Sequence, residues 1–145
     1  MSIWKKPADP DAVNARMENT LSALLGIRIT EFGPDWVKAE MPVDARHVQP
    51  HRILHGGCSV VLSETIGSMA CYQTLGEGRI CVGLEINANH IASVPEGETV
   101  TAICRALHIG RSTQIWQTEI FRADGKLACI SRLTCAVLDR RVARA

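Results

Sequence analysis

The chain has 145 residues, a length that suggests one domain (1–145) able to bury most of the surface it exposes when unfolded. Hydrophobic residues make up 46% and charged residues 21%, which excludes a disordered chain; 16 Lys and Arg against 15 Asp and Glu leave a formal charge of +1, without the basic excess of a nucleic-acid binder. No apolar run reaches the roughly 18 residues of a membrane span, and MSIWKKPADPD lacks the apolar stretch of a secretion signal, so the cytosol is the expected compartment, with neither nucleic acid nor membrane as partner.

Asp9-Pro10 reads as a helix N-cap followed by proline in the first turn. The helix it starts passes through Val13 and Met17 towards Leu25, with a break near Asn19, and stops at Gly26. Residues 27–32 read as a strand and Gly33-Pro34-Asp35 as a turn. From Trp36 to Val43 the sequence alternates, with Val37, Ala39 and Met41 on one face, as in a half-buried strand. An irregular stretch, 44–54, holds His47, His51 and Pro50. Gly56-Gly57 then opens a segment running to Gly76 that predicts a helix of about five turns, apolar nearly all round and so buried. After Arg79 four extended runs follow, at 80–86, 98–109, 113–122 and 127–138. Pro95-Glu96-Gly97, Gly110-Arg111-Ser112 and Ala123-Asp124-Gly125 read as hairpin turns between them, which implies antiparallel neighbours. The tail 139–145 is basic and expected to fray. The order predicts an α+β fold, an antiparallel sheet wrapped around one long central helix.

Six cysteines, Cys58, Cys71, Cys81, Cys104, Cys129 and Cys135, show no C-x-x-C spacing and mostly replace apolar residues, so buried reduced thiols are expected. P-loop, nucleophile-elbow and dinucleotide-binding motifs are all missing from the sequence.

The most informative residue is Glu64, the one charged side chain between Gly56 and Gly76. An unpaired carboxylate on an apolar helix costs several kcal/mol or raises its own pKa, roughly, and so points to chemistry. Ser68, four residues on, shares its helical face. The alternative is an exposed stripe formed with Ser63 and Gln73. His55-Gly56-Gly57 precedes the helix, where free backbone amides and the positive end of the helix dipole could polarise a carbonyl, with His55 adding a side-chain donor. His47, His51 and His55 have the i, i+4 spacing of a metal face, but Pro50 interrupts it and no metal is expected. A Cys58–His55 nucleophile pair lacks an orienting third group. Asn87, Asn89 and His90 end one strand, and His108, Arg111 and Ser112 surround a turn suited to a phosphate.

The stretch RILHGGCSVVLSETIGSMACY resembles the signature of hotdog-fold acyl-CoA thioesterases, in which a histidine and two glycines open the central helix. Glu in the acidic position resembles the Glu-type 4-hydroxybenzoyl-CoA thioesterase branch. IWKK, AEMPVDAR, VGLEINANHI, LHIG and QIWQTEIF resemble the part of it that includes 1,4-dihydroxy-2-naphthoyl-CoA hydrolases and carrier-protein proofreading thioesterases, so the likeness spans nearly the whole chain. The resemblance implies hydrolysis of an aromatic or bulky acyl-CoA without a cofactor, in a homodimer or a dimer-of-dimers tetramer with its active sites at the subunit interface. Alternatives are a carrier-protein thioester as substrate, a hotdog dehydratase, and a non-catalytic acyl-CoA-binding domain. By matching positions, Glu64 is the catalytic carboxylate, nucleophile or general base, kept ionised by the nearby positive helix end. The Gly57 amide holds the thioester oxygen with help from His55; Gln49 places thioester or water, and Ser68 contributes from the partner side. Gly83, then His90, Ile91, Ala92 and Ser93, match coenzyme A-binding segments. A further such segment is Leu107, His108 and Ile109, continued by Gly110, Arg111 and Ser112. Ala92 stands where relatives carry a basic residue, which would shift part of the phosphate contact to Arg111 or Arg105.

Overall fold

The computed structural model describes residues 1–140. Three helices, α1 (Pro10–Arg16), α2 (Leu21–Leu24) and α3 (Gly56–Gln73), accompany six strands. The strands are β1 (Arg28–Phe32), β2 (Trp36–Pro42), β3 (Arg79–His90), β4 (Thr99–Ile109), β5 (Thr113–Phe121) and β6 (Leu127–Asp139). They form one antiparallel sheet in the order β1-β2-β4-β5-β6-β3, and α3 packs across β2 to β6. This is the expected α+β arrangement. The expected fraying of the tail falls, beyond position 140, outside the described residues; Asp139 ends β6, and the Arg140 amide donates to the Gly78 carbonyl at 2.8 Å.

The Asp9 side chain caps α1 by accepting from the Asp11 amide at 3.0 Å. The break falls at Asn19, whose φ of 59° is a left-handed conformation that asparagine tolerates, and Gly26 at φ 66° turns the chain into β1. Alternation in β2 buries Val37, Ala39 and Met41 completely against the core, together with Trp116, Ile29, Leu62 and Ile66.

Two expectations need correcting. Residues 95–97 do not make a hairpin between β3 and β4: β3 pairs with β6, from Arg79 opposite Asp139 to His90 opposite Cys129, and lies at the far edge of the sheet. The 91–98 connection therefore crosses from one side of the sheet to the other. Second, α3 is buried on one face only. Ser59, Leu62, Ser63, Ile66, Gly67 and Ala70 face the sheet, while Val61, Thr65, Ser68, Met69 and Tyr72 remain partly exposed. Its apolar composition exceeds what the sheet of one chain covers.

Candidate active site

His55 is the N-cap of α3, and its Nδ1 accepts from the Gly57 amide at 2.8 Å. Because Nδ1 accepts, the neutral ring carries its proton on Nε2, an exposed donor at the mouth of the helix. The glycines follow from crowding: a Cβ on Gly56 would lie 2.7 Å from His90 Nε2, and one on Gly57 2.9 Å from His55 Nδ1. Histidine 55 is itself held by His47, whose carbonyl accepts from the His55 amide at 2.8 Å. His47 is fully buried, its ring between the Leu25 carbonyl at 2.7 Å and the Asp44 carboxylate at 3.0 Å. The three histidines thus have separate surroundings, and among the described residues no group of three or more His, Cys, Asp or Glu converges as a metal site.

Around this helix start lies a cleft of about 340 Å³ lined by Gln49, Gly56 and Ser59 on one side and His90, Ile91, Ala92 and Ser93 on the other. The Gln49 side chain accepts from the His51 amide within its own loop. Ile91 and Ala92 both donate their amides to the Ala128 carbonyl, which fixes the segment after β3.

Glu64 occupies a second depression, of about 370 Å³, with Ser68 four residues on. Neither Ser63 nor Gln73 shares an exposed stripe with it; both are buried at 1% exposure. The walls are Met69 and Tyr72 from the same helical face, Arg16, Met17, Thr20 and Ser22 from the α1–α2 region, and Cys81 from β3. The Glu64 carboxylate reaches β3 at Gly83, where a Cβ would stand 2.2 Å from its Oε1. Gly83 therefore makes room for the carboxylate. Burial pushes the Glu64 carboxyl above its ordinary value of 4.5. The residue sits more than two turns inside α3, beyond the first turn over which the helix dipole acts, so the expected ionising influence of the helix end does not operate there.

The remaining segment, 107–112, forms the β4–β5 turn at the opposite end of α3. There Ile109, Gly110 and Arg111 share a third depression with Thr74 and Gly76, and the Arg111 carbonyl accepts from Arg79. Leu107 is the extra residue of a bulge between Ala106 and His108, and the His108 ring packs on Gly110. Arg105 is engaged elsewhere, 3.8 Å from Asp35 and 5.8 Å above the Trp36 ring. One chain thus holds the expected site residues in three places: Gln49, His55, Gly57 and 90–93 near the start of α3, Glu64, Ser68 and Gly83 along its flank, and 107–112 past its end. The α1–α2 residues of the Glu64 groove were missed from sequence, because nothing local ties them to α3. Thr65, Met69 and Tyr72 could have been found from their helical spacing about Glu64 and Ser68.

A family model described as the thioesterase superfamily matches residues 51–129, more than half of the chain. A 1,4-dihydroxy-2-naphthoyl-CoA hydrolase of Escherichia coli is 50% identical over 137 residues, covering 94% of this chain and 99% of that protein. The crystal structure of a thioesterase from Haemophilus influenzae superposes with a TM-score of 0.93 at 45% identity, covering 99% of both chains. A mutant thioesterase from Pseudomonas aeruginosa gives 0.92 at 45% identity, covering 95% of this chain and 99% of the other.

Proposed function

The chain belongs to the thioesterase superfamily and is a thioester hydrolase with a hotdog fold, and from that premise we propose that it releases free acid and coenzyme A from an aromatic or otherwise bulky acyl-CoA, 1,4-dihydroxy-2-naphthoyl-CoA being the first candidate. The observation that carries the mechanism is Glu64: the one charged residue of α3, half-buried, aimed at Gly83 in a groove walled by Met17, Met69 and Tyr72. Those walls suit a flat apolar acyl group.

A thioester carbonyl has little resonance stabilisation and thiolate leaves readily, so one carboxylate and one oxyanion-holding group suffice. Glu64 attacks the carbonyl carbon, or takes a proton from the water that does; the C–S bond breaks and the thiolate leaves. The oxyanion sits at the start of α3, where His55 Nε2–H and the Gly57 amide are the donors, the amide shifting from His55 Nδ1 to the substrate oxygen. Gln49 and Ser68 position thioester and water. The matched segments 90–93 and 107–112 hold coenzyme A, with Arg111 the charged side chain that compensates for Ala92.

These groups form one site only across two chains. An 18-residue helix is about 27 Å long, and the two coenzyme A segments lie beyond opposite ends of it. β3 is an edge strand that exposes Val82 at 45% and Leu84 at 61%. A two-fold axis through β3 pairs it antiparallel with its copy and sets the Gly83 side of one strand against the His90 side of the other. Glu64 of one chain then faces Gly57 of its partner, in a dimer or in a tetramer of two such dimers.

The test is turnover of an aromatic acyl-CoA followed by free thiol. Glu64→Gln and Glu64→Ala are expected to lower kcat about a hundredfold or more, the usual range for a positioned acid–base group, while keeping the fold. Wild type is expected to lose kcat/KM towards acid with a midpoint above 4.5, because Glu64 must be ionised and burial favours its protonated form. Either variant turning over like wild type overturns the mechanism.

A further inference from the structure

The Glu64 groove follows the partly exposed flank of α3 and ends at a cation. Tyr72 forms its far wall, eight residues and so about 12 Å beyond Glu64 along the helix. Arg16, at the end of α1, reaches that wall, its guanidinium 4.4 Å from the centre of the Tyr72 ring. A second cation, Lys6, stands 4.6 Å from the same centre, but its Nζ donates to the Leu75 and Gly76 carbonyls just past α3. Arg16 makes no ion pair among the described residues. Contact with a ring leaves a guanidinium its N–H fork, and that fork matches a carboxylate.

We propose that Arg16 determines specificity by reading a carboxylate at the far end of the acyl group, so that the preferred bulky acyl-CoAs are monothioesters of aromatic dicarboxylic acids; this rests on the Glu64 groove being the acyl site. An acyl group neutral at that end, 1,4-dihydroxy-2-naphthoyl included, binds without the gain from Arg16.

The distribution of charge along the groove assigns the class. Glu64 is the acid and Arg16 the cation of its lining, with Met17, Ser68, Met69 and Tyr72 between them to hold rings. Beyond Arg16 and Tyr72, which line both spaces, a cleft of about 600 Å³ opens among Lys5, Lys6, Arg79 and Arg140, with Glu77 the acid in its lining. Arg79 is paired with Asp139 at 3.0 Å, and the remaining cations keep that end of the groove positive. A carboxylate at Arg16 lies further from Glu64 than the roughly 8 Å over which exposed charges act at physiological salt, so the two acids oppose each other little. Two fused rings substituted at opposite ends have the reach. Arg16 is itself exposed, which holds the expected gain to about fivefold.

Calorimetry on the full chain compares two coenzyme A analogues in which a methylene between carbonyl and sulfur prevents hydrolysis. One carries a 6-carboxy-2-naphthoyl group and the other its size-matched neutral amide, 6-carbamoyl-2-naphthoyl. Wild type is expected to bind the acid about fivefold tighter at low salt, with a smaller advantage in 1 M salt. Arg16→Met is expected to bring the two affinities together, and Arg16→Lys to keep much of the difference. The matching thioesters are expected to show the same split in KM, with less in kcat. Equal or tighter binding of the amide by wild type, no binding of either analogue, a preference that survives Arg16→Met, or one unmoved by salt each overturns the assignment. Free thiol released from neutral 2-naphthoyl-CoA by wild type and not by Glu64→Gln judges the Glu64 reading separately.

Discussion

Gly83 shows how the carboxylate proposed as catalytic is placed by what its neighbour lacks. Any side chain there would meet Glu64 Oε1 at 2.2 Å, and the leucine behind it, Leu133, leaves no second pocket nearby, its Cδ1 being 3.6 Å from the same point. Gly83→Ala is therefore expected to keep the fold but turn the carboxylate away from the thioester. A misplacement of about 1 Å can cost about a hundredfold, so kcat should fall by that order while KM changes less. Steady-state kinetics beside a thermal melt checks this, and an unchanged kcat would show that the contact only packs. Glu64 itself is legible in the sequence because no other charge interrupts its helix. Gly83 reads as a small residue in an alternating run, matched by resemblance to a coenzyme A-binding segment, and its contact with Glu64 is not legible because the carboxylate lies 19 positions away on another element. The same holds for His55: a donor is expected from its type, but its ring capping Gly57 is a matter of side-chain rotamer.

Helix α1 is held by a side chain acting as a strand. β1 is the other edge of the sheet, and Asn14 bonds the free side of Ile29 twice: Nδ2 donates to its carbonyl at 2.8 Å and Oδ1 accepts from its amide at 2.8 Å. That closes part of an edge open to further pairing and seats α1, which carries Arg16 and Met17 into the Glu64 groove. Asn14→Ala removes both bonds and leaves two backbone groups unpaired, a loss of about 2 kcal/mol in unfolding free energy. Urea unfolding should show a lower midpoint with unchanged slope. A stability equal to wild type would mean that water replaces the asparagine at no cost. The capped α1, the break at Asn19 and the β4–β5 and β5–β6 hairpins were legible because caps and turns are local chemistry. The pairing of β3 with β6 was not, because turn residues at 95–97 mark a change of direction without specifying which strand is met next.

At the scale of the molecule, the second copy proposed across β3 would account for both the unfinished burial of α3 and the scattered site, and mixing two inactive chains tests it. Take Glu64→Gln and His55→Ala, each inactive or nearly so as a homodimer. If Glu64 of one chain works with His55 and Gly57 of its partner, a heterodimer contains one site with both substitutions and one with neither. Random re-pairing of equal amounts makes half the dimers mixed, each with one working site of two, so about a quarter of wild-type turnover should return. If each chain held a whole site, every site in the mixture would carry one substitution and no activity would return. Leu84→Arg supplies the second arm. It puts a charge on the exposed β3 edge, away from the side chains that line the Glu64 groove, and is expected to yield a monomer by light scattering that has lost turnover with its partner. A fully active monomer would return the site to a single chain, and with it the need for some other cover over the outer face of α3.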